Sequence, residues 1–305
     1  MDAITVRDRT AGVGGLVLTD MPYPHASEND VIVRVHAAAF TPGELDWPAT
    51  WHDRAGRDRT PTIPGHELSG VVVELGFGTT GLTVGQRVFG LADWARNGTL
   101  AEYVAVEARN LAPLPADVEH VMAAALPVSG LTAWQGLFHH ARLAVGQTVL
   151  IHGAAGGVGS IAVQLARAAG ARVIGTGRAA HRETALGLGV DVFLDLDADD
   201  LEAAGEVDVV LDVIGGEIRD RSAGLVRAGG TLVTVASPPD VRPGDGRAIF
   251  FVVEPDRRQL AALARRLHDG RLTPIVQTCP LREVPAAFAP GRRAPGKTVI
   301  RITED

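Results

Sequence analysis

The stretch VLIHGAAGGVGSIAVQLARAAGARVIGTGR, residues 149–178, decides the fold. Thr148–His152 reads as a short buried strand, and 153–159 as a glycine-rich turn. Val158–Ala169 reads as an apolar helix and Ala171–Thr176 as a second buried strand. Small residues at Ala154, Gly156 and Gly159 stand at the three positions of a dinucleotide-binding fingerprint. The first permits a tight turn, the second lets backbone approach a pyrophosphate, and the third lets helix and strand pack closely. The helix start then offers free N–H groups and a partial positive charge to phosphate. A glycine-rich turn alone is weak evidence, and a turn without any ligand is the competing reading. The strand–turn–helix–strand setting is what gives the motif its specificity.

The tip of the second strand bears on which dinucleotide is bound. A carboxylate there accepts from a ribose 2′-OH, whereas a 2′-phosphate is repelled by Asp and held by Arg. The chain has Thr176-Gly177-Arg178 at this point, with His181 and Arg182 close behind. NADP(H) is therefore the expected cofactor, with Arg178 the leading contact and His181 and Arg182 weaker ones, since Arg after a strand is commonly plain surface.

Outward from this unit, Val207–Val213 and Thr231–Ala236 are near-continuous apolar runs, as strands buried on both faces of a parallel sheet require. Upstream the pattern differs. Ala3–Val6, Asp30–Ala37, Leu68–Leu75 and Val84–Phe89 read as strands punctuated by Gly and Pro, which predicts a barrel or sandwich. Val118–Leu126, Gly130–Leu143 and Gln259–Gly270 have helical spacing, and Ile275–Val276 and Thr298–Ile302 read as strands. The acidic residues Asp195, Asp197, Asp199, Asp200 and Glu202 read as a solvated loop.

The chain has 305 residues, with 46% hydrophobic and 21% charged, which predicts a globular protein of two domains and excludes a disordered or fibrous one. A net charge of −7 argues against nucleic acid or an anionic membrane as partner. The single cysteine, Cys279, rules out an intramolecular disulfide and a Cys-rich zinc module. MDAITVRDRT carries no apolar signal core and no membrane-length apolar run follows, so the expected location is cytoplasmic. Lys297 is the one lysine in the chain.

The order of motifs resembles the medium-chain dehydrogenase/reductase superfamily, and within it the zinc-independent, NADP-dependent quinone oxidoreductase and enoyl reductase branch. The resemblance rests on PGHELSGVVVELG (64–76), VGQRVFG (84–90), GTLAEYVAV (98–106), LPVSGLTAWQGL (126–137), the glycine-rich turn, LDVIGG (211–216), AGGTLVTVAS (228–237), FFVVEPDRRQL (250–260) and GKTVIRI (296–302). It implies an α/β protein with two domains. Residues 1–117 and 266–305 would form a GroES-like β-barrel catalytic domain, and 118–265 a Rossmann doubly wound parallel-sheet domain, with nicotinamide in a cleft between them. It implies that Ala155, Gly156, Gly157 and Val158 line the pyrophosphate. Val213, Ile214 and Gly215 would lie toward the adenine or ribose, and Ala236 and Ser237 would contribute to the cofactor site from the end of the following strand. Phe250, Phe251, Val252 and Thr132 would border the nicotinamide, and Lys297 would approach cofactor phosphate or ribose. A homodimer joined along the edge of the nucleotide domain is also implied.

AAFTPGELDW (38–47) aligns with the N-P-x-D stretch of that family, with Thr41 in place of Asn and Glu44 in place of Asp. Both are candidate catalytic residues, and for Glu44 a loop-holding carboxylate is the alternative. Catalytic zinc needs three protein ligands and an open position. His66 survives in Gly-His-Glu, but Phe40-Thr41 and Ser129-Gly130 stand where the family's cysteines would fall. No metal is expected, although a substitute set of His66, Glu44 and Glu67 is conceivable. Trp47, Trp51 and Trp94, with His66, are candidates for an apolar substrate pocket.

Without a Lewis acid, an acceptor that is already electrophilic suits hydride transfer. The expected activity is NADPH-dependent reduction of a quinone or an α,β-unsaturated carbonyl, with Thr41, a backbone N–H or a cofactor ribose hydroxyl meeting the developing oxyanion. The alternatives are an enoyl-thioester reductase, a zinc-dependent alcohol dehydrogenase and a non-catalytic NADPH-binding protein.

Overall fold

The computed structural model describes residues 1–288 and 295–303, apart from the side chain of Pro42. Among the described residues there are fifteen strands: β1 Asp2–Thr5, β2 Val17–Asp20, β3 Asp30–Ala39, β4 Glu67–Leu75, β5 Arg87–Leu91, β6 Tyr103–Glu107, β7 Leu111–Pro113, β8 Thr148–Ile151, β9 Arg172–Gly177, β10 Val192–Asp195, β11 Val207–Asp212, β12 Val226–Thr234, β13 Arg247–Phe250, β14 Val276–Pro280 and β15 Lys297–Arg301. The fold is α/β and divides into two compact units. One is Met1–Val128 with Pro255–Arg271 and Val276–Asp305; the other is Ser129–Glu254 with Leu272–Ile275.

The first unit is built on a seven-stranded sheet ordered β14-β15-β3-β4-β5-β7, with β6 pairing the first half of β3. All its pairings are antiparallel except the parallel β14–β15 pair. β3 lies at its centre and is buried on both faces, so the alternation read from its sequence understates its burial. Val31, Val33, Val35, Leu68, Val72 and Val88 join Phe40, Leu100 and Ile300 in one core. Small residues Ala37 and Ala39 let the helix His120–Ala124 settle against β3 and β15 through Ala124 and Ala125.

The second unit is a six-stranded, all-parallel sheet ordered β10-β9-β8-β11-β12-β13. From β8 the chain steps outward to β9 and β10, then returns to β11 and steps the other way. That reversal makes a switch point between β8 and β11, and the crevice outside the carboxyl ends of such strands is where doubly wound sheets take their ligands. Leu150, Ile174, Leu194, Val210 and Leu232 form a core on one face.

The boundaries differ from those the sequence suggested. The division falls at Val128/Ser129 and Glu254/Pro255, not at 117/118 and 265/266. The helix His120–Ala124 packs on β3 and β4, and the helix Arg257–His268 packs on β7, so both go with the first unit. The second helical stretch is also less regular than its spacing implied: an α-helix over Pro127–Trp134 widens into a π-helix over Gln135–His140. Widened turns of this kind recur near functional sites.

Candidate functional site

In the second unit the sheet topology collects the loops that follow β8, β9, β11 and β12. The turn after β8 runs from His152 into the helix Gly157–Ala168, whose N-cap is Gly156. The left-handed residue that makes the tight turn is Gly153, at φ +64°, and not Ala154 as the fingerprint suggested; Ala154 is buried against the backbone of Gly175. A Cβ on Gly159 would lie 2.1 Å from the Gly153 carbonyl oxygen, so only glycine permits the helix to sit this close to the strand. Gly156, Gly157 and Val158 are partly exposed, and no acidic residue stands in the first helical turn. The first N–H groups of that helix therefore form a cradle suited to a pyrophosphate. Ala155 is buried beneath it.

Buried side chains that the sequence did not single out hold these loops. His152 Nε2 lies 2.7 Å from Ser222 Oγ, which itself donates to the Ile218 carbonyl, so His152 donates through Nε2 and accepts at Nδ1 from Thr176 Oγ1, 2.9 Å away. Burial pushes the His152 imidazole down to about 4, keeping it neutral in this network. At the end of β11, Asp212 accepts from the amides of Ile214 and Gly215 and from Thr234 Oγ1, which pins the loop containing Val213 and Ile214. Arg219, fully buried, donates to Ser237 Oγ at 2.7 Å and to the carbonyls of Ser237 and Pro238. It shapes the exposed turn that carries Ala236 and Ser237. A lone Asp after a strand and an Arg inside a helix carry no motif signal; only the strand order exposes their roles.

Arg178 is exposed just past β9 and makes no side-chain hydrogen bond or ion pair among the described residues. Arg182 is committed elsewhere: it donates to the Phe193 carbonyl and to Asp199, and its guanidinium lies 5.0 Å from the Phe193 ring centre. His181 lies between them, with its amide on the Arg178 carbonyl. Asp195 is not the solvated loop residue expected from composition. It is the buried last residue of β10, in register with Gly177, and Asp199 caps its amide. Past β13 exposure alternates, with Phe250 and Val252 outward and Phe251 and Val253 buried. Phe251 packs against His140 at 4.4 Å between ring centres, and a Gln135–Glu254 pair of hydrogen bonds fixes the segment to the π-helix. Thr132 is buried in the preceding helical turn.

In the first unit a second cluster forms around the loop 40–47. Glu44 is fully buried; Oε1 accepts from the Thr41 amide at 2.9 Å and Oε2 from the Gly65 amide at 3.0 Å. Burial nevertheless pushes its carboxyl up to about 8, against those amides and the nearby Lys297 charge. His66 Nε2 is 3.5 Å from Glu44 Oε2, and burial, with the Arg59 charge adding to it, pushes His66 down to about 3. Glu67, also fully buried, accepts from the Val128 amide and pairs with the ammonium of Lys297. Lys297 in turn donates to Thr41 Oγ1 at 2.9 Å. Trp94 stands edge-on to both Trp47 (5.1 Å) and His66 (4.7 Å), and forms an aromatic wall over the cluster. Trp51 is not part of that wall. It is 5% exposed in the main core, with its indole N–H on the Leu45 carbonyl, because the short helix Pro48–Trp51 turns it inward.

The donors of this cluster are already engaged. Both Glu44 oxygens accept backbone amides and Glu67 is neutralised by an ammonium, while Cys279 lies buried in the core. Among the described residues no three His, Cys, Asp or Glu side chains group so as to hold a metal ion. Nor, among them, is any helix long and apolar enough to cross a membrane.

Residues 27–116 match the family described as "Alcohol dehydrogenase GroES-like domain", and residues 157–254 the family described as "Zinc-binding dehydrogenase". The chain is 40% identical over 244 residues to the spectinabilin polyketide synthase system protein NorB of Streptomyces orinoci; this covers 73% of the chain but only 11% of that much longer protein. It is 30% identical over 294 residues to the chloroplastic NADPH-dependent alkenal/one oxidoreductase of Arabidopsis thaliana, covering 91% of this chain and 73% of that one. In structure it is similar to the quinone oxidoreductase of Coxiella burnetii, with a TM-score of 0.90, 26% identity and 99% of each chain covered.

Proposed function

The chain belongs to the medium-chain dehydrogenase/reductase superfamily, and on that premise we propose that it is an oxidoreductase that transfers hydride from NADPH to a quinone or an α,β-unsaturated carbonyl without zinc. The observation that carries the proposal is the glycine-built cradle at the β8–β11 switch point, followed one strand on by an exposed, uncommitted Arg178. Reduced nicotinamide supplies the hydride. Amides at the start of the helix Gly157–Ala168 receive the pyrophosphate, Arg178 receives the 2′-phosphate, and Phe250 and Val252 offer apolar surface beside the ring. In the first unit Trp47 and Trp94 offer flat apolar faces to a planar acceptor, and Thr41 offers a hydroxyl to the oxygen on which charge develops. Glu44 and Glu67 are bound up in holding the loop and Lys297, which is why the reaction is proposed to run without a bound cation.

A conjugated thioester is a close second reading, favoured by the likeness to part of the polyketide synthase system protein NorB. The test follows NADPH oxidation with 1,4-benzoquinone, a linear enone, an enoyl thioester and an aldehyde, beside metal analysis of the purified protein. Turnover of quinone or enone well above the aldehyde, with sub-stoichiometric zinc, supports the proposal. Faster turnover of the thioester moves it to the second reading. One zinc per chain with aldehyde activity overturns it, as does tight NADPH binding with no turnover of any acceptor.

A further inference from the structure

We propose that Lys297 is a positioning residue for the hydroxyl of Thr41: by donating to Thr41 Oγ1 it forces the Thr41 O–H outward as the donor to the acceptor's oxygen. This rests on the reaction proposed above.

The argument is one of hydrogen-bond direction. An ammonium only donates, so the 2.9 Å contact from Lys297 Nζ fills an acceptor position of Thr41 Oγ1. The hydroxyl's own hydrogen must then point to a different acceptor, and among the described residues none takes it. Thr41 is partly exposed, so the residue is within reach of a ligand. Both ends of the arrangement are fixed. The Thr41 amide is held by Glu44 Oε1, and Lys297 is held by the buried Glu67, whose other oxygen is tied to the Val128 amide. Glu67, Lys297 and Thr41 form a chain that ends on a donor with one free direction. The arrangement also bears on the role that the family resemblance implied for Lys297, an approach to cofactor phosphate or ribose: its ammonium already pairs with Glu67 and Thr41.

The chemistry balances for an enone. Hydride from the reduced nicotinamide forms a C–H bond at the β-carbon. The C=C π pair shifts to make the enolate, and the oxygen takes the negative charge. Thr41 passes its O–H proton to that oxygen as Lys297 passes an N–H proton to Thr41 Oγ1. Water then reprotonates the amine, and the enol becomes the ketone by gaining a proton at the α-carbon and losing one from oxygen. A quinone takes the hydride at one carbonyl oxygen, its ring π electrons shift to leave the opposite oxygen negative, and the same relay protonates that oxygen to give the hydroquinone.

The test is a double-mutant cycle in the whole protein, with NADPH and a linear enone. K297M and T41V each lower kcat by roughly 10- to 100-fold, the range for losing an oxyanion donor or its alignment, while KM for NADPH stays within about twofold. T41V/K297M is no slower than T41V alone, because the lysine acts only through the hydroxyl, and T41S restores most of what T41V loses. K297M/E67Q removes the charge stranded on Glu67, so a variant that folds is in hand if K297M does not; it too shows the loss in kcat. Additive losses in T41V/K297M overturn the proposal. So does a raised KM for NADPH with kcat unchanged, which would make Lys297 a phosphate contact. If the unmodified protein binds NADPH but reduces neither enone nor quinone, the underlying reaction is refuted before any variant is made, so the two failures are distinguishable.

Discussion

The two units solve the problem of presenting a site in opposite ways. In the second, what the candidate site offers is backbone: the amides of a glycine turn at a helix start, with His152, Asp212 and Arg219 buried behind the loops. In the first, the candidate site offers side chains, a hydroxyl and two partly exposed indoles, and the hydroxyl is held by a buried pair of charges. A site made of backbone tolerates changes of side-chain chemistry but not an added Cβ. A site made of buried side-chain charges tolerates small changes of shape but not the loss of one charge. The difference can be tested from both sides.

The largest effect is expected at Gly159. An alanine methyl there would meet the Gly153 carbonyl at 2.1 Å, and the obstacle is backbone that cannot rotate away. G159A should lose upwards of ~4 kcal/mol, or fold without affinity for NADPH, whereas I161V in the same helix should cost only ~0.5–1.5 kcal/mol. Urea midpoints and NADPH titration check both. A G159A protein of unchanged midpoint and affinity would break the backbone half of the comparison.

Next comes the stranded charge. K297M leaves Glu67 buried with one amide as its hydrogen-bond partner, and removing one partner of a buried pair costs ~3–5 kcal/mol. K297M/E67Q should recover much of that. If K297M alone unfolds at the same urea concentration as the unmodified chain, the first unit does not depend on this pair.

The same contrast governs what the sequence revealed. The glycine turn, the strands beside it and the position of Arg178 past the second strand were legible because local spacing alone defines a strand–turn–helix unit. The site around Thr41 was half legible: its residues followed from an aligned motif, but the chain from Glu67 through Lys297 to Thr41 joins positions 67, 297 and 41, which no local pattern connects. Trp51 misled because a tryptophan beside a site loop reads the same whether it faces out or in, and only the turn of the helix Pro48–Trp51 settles it. Asp195 misled because its carboxylate neighbours masked VFLD as a strand, although Val192 to Asp195 pairs with β9 throughout.

A smaller effect should appear as pH dependence in the first unit. Glu44 is raised to about 8 when folded, from 4.5. The folded state therefore keeps a proton that the unfolded state gives up, so this contribution to stability is full below about 4.5 and is lost as pH rises toward 8. His66, lowered from 6.5 to about 3, acts in the other direction, its contribution being lost as pH falls below 6.5. Between pH 6.5 and 8 Glu44 carries a downward slope, on the order of 1 kcal/mol per pH unit. Stability curves of the unmodified protein and E44Q over that window check this. The height of the E44Q curve will drop, since its amide faces two N–H donors, so the slope is the measure. Equal slopes would mean that Glu44 is ionised in the folded protein.

The smallest effect separates two arginines four positions apart. Arg178 is exposed and uncommitted, whereas Arg182 is spent on Phe193 and Asp199. R178A should raise KM for NADPH by roughly 5- to 20-fold, a charge-assisted bond discounted for exposure, and leave KM for NADH alone. R182A should shift neither by more than about twofold, because its guanidinium would have to leave an ion pair and a carbonyl to reach a phosphate. If R182A weakens NADPH as much as R178A does, the acidic neighbour Asp199 yields its arginine when the cofactor binds. Selectivity then rests on a side chain that moves, and the second unit is less purely a backbone site than its resting geometry implies.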